Sequence, residues 1–300
     1  MSPTSHADLY RSLRGGGNNF GIVTKFHLET IKQGLMWGGT RLHLEPQFPA
    51  LLDAFYKLGT QATLDPAAAQ ILSFAYAQNT KVASSELEYA QPIANASIFA
   101  DYLAIPALQD STRVRSLANI TLEMNQVNPN GLREIYWAAT FKLDRNFTGF
   151  VSDVFYEEVL GIADAAALVP AMTLQVITVP MLKHFAKKGG NALGLDESDG
   201  PLLLMMSNMM WKDEADDERI LATNKRIVDR AIEAGKKKGL FVEYIYMNYA
   251  SKFQAVVPSY GEESHARLKA AAKKYDPKAV FQTLQPGYFK LDGAPAAWQG

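Results

Sequence analysis

With 300 residues, 48% of them hydrophobic and 20% charged, the chain has the composition of an ordinary globular protein, long enough for one large core or two modest ones. A formal net charge of -1 and a pI near 6.5 supply no field for a polyanion, so nucleic acid is not expected as a partner; the basic cluster Lys236 to Lys238 reads as the favourable end of a helix. The absence of cysteine excludes disulfides, thiolate metal sites and a cysteinyl link to a cofactor, and leaves the compartment open.

The opening MSPTSHADLY has neither a basic n-region nor an apolar h-region, and no apolar run reaches the ~18 residues of a membrane span, so no membrane partner is expected and a cytosolic location is the default. Asp8 is a plausible N-cap for a short helix through Leu9, Tyr10 and Leu13, which stops at Gly15-Gly16-Gly17. Ile22 to Leu28 then reads as a strand, with Val23, Phe26 and Leu28 as its apolar residues. Helix, glycines, then strand reverses the order of the dinucleotide fingerprint, so a Rossmann reading is rejected.

Leu35 to Leu44 reads as a strand interrupted by Gly38-Gly39, and Phe48 to Leu58 as a helix with Leu51, Leu52, Phe55 and Leu58 on one face. Ala69 to Tyr76 and Ser97 to Ile105 look like further strands; Thr112 to Met124 is ambiguous, and Ile135 to Leu143 suits either element. Phe147 to Leu160 places Val151, Val154, Phe155 and Val159 at helical spacing. Met172 to Val179 and Leu202 to Trp211 read as strands separated by the loop GGNALGL. Asp216 and Asp217 open a helix ending at Gly239, striped by Ile220, Ile227, Val228 and Ala231. Phe241 to Asn248 follows as a strand, and a last helix carries Leu268, Ala271, Ala272 and Tyr275 before Pro277 ends it. Together these predict an α+β fold, a largely antiparallel sheet covered by helices on one side.

Alternation along Phe241 to Asn248 places Val242, Tyr244, Tyr246 and Asn248 on one face, an aromatic and polar surface suited either to a half-buried structural face or to a ligand pocket. Gln175 on an apolar strand and Asn191 in the glycine loop are the other polar pocket candidates. The five histidines lie far apart without metal-ligand spacing, so no metal is expected. The acids between Asp213 and Glu218 suit the first turn of a helix better than a cation site. Asn95, Asn119 and Asn146 begin glycosylation sequons, in roughly the number expected by chance at ordinary composition.

Three stretches in one order carry a family resemblance. They are DLYRSLRGGGNNFGIVTKFHLET, GGNALGLDESDGPLLL, and YIYMNYASKFQ followed by SYGEESHARLKAAAKKYDPKAVFQTLQPGYFKL. Together they resemble the FAD-linked oxidases related to berberine bridge enzyme, with the vanillyl-alcohol-oxidase type of flavin fold, and especially fungal members of secondary metabolism. The likeness runs from about residue 7 to Leu291.

The resemblance implies that residues 1–33 and 251–300 are pieces of an α+β flavin-binding domain, and 34–250 a substrate domain. It implies FAD as cofactor, with Gly16, Gly17, Gly21, Ile22, Val23 and Asn248 as contacts, and Tyr244, Gln175 and Asn191 on the substrate side. Tyr246-Met247-Asn248 matches the family's Tyr-x-Asn motif, which makes Tyr246 the general base of an oxidation of a small organic substrate. Members carry a phosphate-binding loop and a flavin-linking histidine before the residues matched by Asp8. The expectation is therefore a member of this family, or a truncated derivative of one, that does not hold FAD alone, with a complementing chain or a second copy as partner. The alternative is a non-redox ligand-binding or cyclase-like protein on the same scaffold.

Overall fold

The computed structural model describes residues 1–126, 128–285 and 287–298. Its centre is a nine-stranded sheet built from β1 (Met36–Leu44), β2 (Ala68–Ala77), β3 (Thr80–Tyr89), β4 (Gln109–Asp110), β5 (Arg113–Arg115), β6 (Arg133–Lys142), β7 (Val169–Ile177), β8 (Leu202–Trp211) and β9 (Phe241–Val242). The spatial order is β4-β1-β3-β2-β7-β8-β6-β9, with β5 also on β1, and all the described pairings are antiparallel. The α+β expectation is borne out.

The helices are α1 (Ala7–Leu13), α2 (Phe48–Gln61), α3 (Ala100–Leu103), α4 (Leu117–Asn125), α5 (Arg145–Val159), α6 (Val179–Phe185), α7 (Asp217–Lys237), α8 (Glu262–Tyr275) and α9 (Val280–Thr283). Helices α2, α5 and α7 lay their apolar stripes on one face of the sheet, where Leu72, Phe74, Met172, Leu203 and Met205 are fully buried. Side chains alternate across a strand, so Ser73, Ser84, Thr173, Gln175, Asn208 and Tyr136 fall on the opposite face. A second apolar cluster lies beyond the sheet and joins Phe20, Leu182, Tyr244, Val256, Tyr260, Leu268 and Leu291.

Four sequence expectations are corrected. Ile22 to Leu28 forms no strand: residues 22–35 run exposed and without regular structure, because period-2 apolarity marks a face but supplies no neighbour to pair with the backbone. Ser97 to Ile105 is a 3₁₀ turn followed by α3, with Phe99 and Tyr102 buried under β1 and α2. The strand expected over Phe241 to Asn248 stops at Val242, and Met247–Tyr249 is a 3₁₀ turn. His6, in a left-handed conformation, rather than Asp8, holds the N-cap position of α1, without a side-chain cap bond, and Asp8 turns to Lys274 and Tyr275 of α8. Strand β3 and helix α6 went unread. Ambiguous Ile135 to Leu143 is strand, and Thr112 to Met124 is β5 followed by α4.

Candidate active site

The glycine turn after α1 is held from three directions. Gly16 donates to Ser12 O at 2.9 Å, Ala192 donates to Arg14 O at 2.9 Å, and the Tyr260 hydroxyl donates to Gly15 O at 3.1 Å. The fully buried Asn19 donates to Gly16 O at 2.7 Å and Phe289 O at 3.0 Å, while Gln282 donates to its Oδ1 at 3.0 Å. One asparagine thus joins the turn to the C-terminal segment. Arg14 reaches the other loop, donating to Lys187 O at 2.8 Å and to Gly190 O.

The glycines differ. Gly16 is buried, and a Cβ there would lie 2.4 Å from Ser12 O and 2.5 Å from Phe20 Cε2. The space a side chain would need is taken by the protein, so the missing side chain serves packing. Gly17 is left-handed at φ +68 and exposed, with the Met247 Sδ and Cε 3.3 Å from where a Cβ would stand. That contact seats the turn against Tyr246-Met247-Asn248. Beside Gly21 a Cβ would meet nothing within 4 Å, and Ile22 and Val23 are 81% and 40% exposed, so this backbone is open to a ligand or another chain.

After β9 the chain leaves the sheet edge, with Ile245 donating to Ser259 Oγ at 3.0 Å. Tyr244 turns into the second apolar cluster, stacked on Tyr260 with centroids 5.7 Å apart. Burial first, then the Tyr260 and Tyr246 phenols, pushes its hydroxyl pKa well up. At 3% exposure Tyr244 packs in this cluster rather than on an open surface. Tyr246 stays half-buried, edge-on to Tyr249 at 4.9 Å, and its hydroxyl accepts from Asn248 Nδ2 at 2.9 Å. Of the expected constellation, Tyr246 and Asn248 are together.

Gln175 lies half-buried on the open face of the sheet, paired with Leu204 across the ladder. The carboxamide oxygen of Asn191 accepts from Leu193 N at 2.9 Å, a local turn bond, so this side chain shapes its own loop. Sequence reasoning passed over Tyr136, Tyr249 and Gln254. Tyr136 bonds to Glu134, and burial, that carboxylate and the Tyr249 phenol all raise its pKa. It lies cross-strand from Asn208, whose Oδ1 is buried without a partner.

The Ser/Glu alternation of β3, also unread, puts Glu86 and Glu88 on the same open face. Glu86 accepts from Ser84 at 2.7 Å, and burial pushes its carboxyl up to about 7. Burial and then the Glu86 charge push Glu88 up to about 7 as well, against the pull of Arg115. Two surface clefts lie elsewhere, one between α2 and α3 around Asp53 and Asp101, the other around Tyr76 and Lys81. Among the described residues no three His, Asp or Glu side chains are placed to share a metal ion, and no helix is long and apolar enough to cross a membrane.

No family model matches the chain. It is 34% identical over 306 residues to the FAD-dependent monooxygenase FUP4 of Fusarium proliferatum (strain ET1), a match covering 97% of this chain and 59% of that protein. In fold it is similar to 6-hydroxy-D-nicotine oxidase of Arthrobacter nicotinovorans, with TM-score 0.72 and 16% identity over 94% of this chain and 61% of the other. A variant of berberine bridge enzyme gives TM-score 0.65 and 12% identity over 91% and 60%. The chain thus spans about three fifths of the proteins it matches. The expected resemblance, to FAD-linked oxidases related to berberine bridge enzyme and to their fungal members, is borne out.

Proposed function

We propose that this chain is the substrate-side part of an FAD-linked oxidoreductase that oxidises a small secondary-metabolite molecule, with Tyr246 as general base. The observation that carries the reading is the hydrogen bond from Asn248 to the Tyr246 hydroxyl, in a segment packed through Met247 against Gly17. Asn248 holds the phenolic oxygen in one orientation and leaves its other lone pair for a substrate O–H. Tyr246 enters this step as phenolate, its own proton already released to solvent: the substrate O–H proton moves to the phenolate oxygen, the freed O–H pair closes the C=O bond, and the C–H hydrogen leaves as hydride with its electron pair.

The residues present fit a flavin on one side only. The open, exposed backbone at Gly21, Ile22 and Val23, and the Gly17 turn near Met247, suit the approach of a planar ring; bound there, FAD would supply the hydride acceptor. Residues 34–250 form the substrate unit in this reading, and 1–33 with 251–300 the flavin-side unit. Phe20 of the first stretch packs with Val256, Tyr260, Leu268 and Leu291 of the last, in a cluster that also takes in Leu182, Leu202 and Tyr244 of the substrate unit. Further flavin contacts, from residues outside this sequence, complete the site.

Tyr246→Phe keeps the ring on Tyr249 and removes only the hydroxyl. In the FAD-loaded enzyme, anaerobic flavin reduction by substrate is expected to slow by ~10²-fold or more. Reduction at the parent rate overturns the assignment.

A further inference from the structure

Strand β6 lies between β8 and the short β9, so every second residue turns its backbone away from β8 and towards the edge. At Thr140 the outward slot is filled by Val242 of β9, and Lys142 donates to Leu240 O at 2.7 Å. Strand β9 ends at Val242, and the next outward slot, Ala138, has no backbone partner. Gln254 fills it with its side chain: Ala138 N donates to Gln254 Oε1 at 3.0 Å, and Gln254 Nε2 donates to Ala138 O at 2.7 Å. The carboxamide reproduces both bonds that a paired strand residue would make. It is buried, and Oε1 also accepts from Ser251 N at 2.9 Å.

The segment between these attachments carries Tyr246, Asn248 and Tyr249. Inside it, Tyr249 donates to Tyr246 O at 3.1 Å and Ala250 to Met247 O at 3.4 Å. Phe253 stacks on Trp137 of β6 with centroids 5.7 Å apart, beside the carboxamide. We infer that Gln254 is a positioning residue, a side-chain substitute for an edge strand that pins the far end of the 243–253 excursion and so sets where the Tyr246 hydroxyl stands over the sheet. The link to catalysis rests on Tyr246 being the base; the pinning itself does not.

Amide hydrogen exchange on the chain itself tests this. In the unaltered chain the Ala138 amide should exchange as slowly as that of Thr140, although no strand pairs with it; rapid exchange at Ala138 overturns the inference. In Gln254→Met, which keeps the shape and loses the polar atoms, Ala138 should exchange about 10-fold faster or more, as expected for loss of a buried hydrogen bond. The Tyr249 and Ala250 amides should follow, while Ala139, whose backbone faces β8, keeps its rate.

Faster exchange at Ala138 with Tyr249 and Ala250 unchanged overturns the positioning role, as does a parent-like rate at Ala138. In the FAD-loaded enzyme, Gln254→Met should slow anaerobic flavin reduction more than it weakens substrate binding. If Tyr246→Phe reduces flavin normally while the exchange results hold, the base assignment falls and the pinning stands.

Discussion

Replacing Gly16 and Gly17 separately by alanine sets two physical effects against each other within one turn. Gly16 lies outside the left-handed region, so its constraint is space: a methyl would come 2.4 Å from the Ser12 carbonyl oxygen and 2.5 Å from Phe20 Cε2. Ser12 O closes the last turn of α1 by accepting from Gly16 itself, and Phe20 is buried at 5% exposure, so neither yields freely. Overpacking of this kind costs about 1–3 kcal/mol, and with backbone and ring both pressed the upper end is expected.

Gly17 is left-handed, which costs alanine about 1–2 kcal/mol, but the atoms in its way are the Met247 sulfur and methyl at 3.3 Å, the flexible end of a side chain. Gly16→Ala should therefore melt lower than Gly17→Ala, by several degrees at about 2–4 °C per kcal/mol for a domain of this order of size. Calorimetry of the two variants beside the parent decides the matter. Equal melting, or a larger loss in Gly17→Ala, would show that φ strain rather than close approach constrains the turn.

Glu86 titrates near 4.5 in an unfolded chain and is pushed up to about 7 by burial. The folded state therefore binds more protons between those values, and stability falls as pH rises through about 4.5 to 7. Glu86→Gln should remove part of that loss, gaining on the order of 1–3 kcal/mol over the parent in urea unfolding at pH 8 relative to pH 5; a difference independent of pH refutes the burial argument. Phe26 and Leu28 are 73% and 81% exposed, so replacing both by serine should change the melting temperature by no more than a surface substitution does, ~0.5 kcal/mol each, while reducing self-association in light scattering. A large loss of stability would place the segment in the core.

Helices α2, α5, α7 and α8 were legible because a stripe repeating every 3.6 residues is a local property, and Leu51, Phe55, Val151, Val154, Ile227 and Leu268 sit where their spacing predicts. Strands β1, β2, β7 and β8 were legible as compact apolar runs bounded by turn residues. The glycine turn, the GGN loop and the Tyr246-Met247-Asn248 segment likewise carry the flavoprotein resemblance in their sequence alone.

What the sequence could not decide is who stands beside whom. Ile22 to Leu28 and Phe241 to Asn248 have strand-like patterns, yet a strand exists only where a neighbour accepts its backbone bonds; among the described residues the first has no such neighbour, and the second leaves its neighbour after Val242. Alternation put Tyr244 and Tyr246 on one face; departure from the ladder released the period of two, sending Tyr244 into the core beside Tyr260 and leaving Tyr246 half-buried with Asn248. Gly16 and Gly17 look alike in the chain, and only packing separates a position filled by Phe20 from one open at the surface. Gln254 carries no local signal at all, because its role depends on Ala138, 116 residues away, having an unpaired backbone edge.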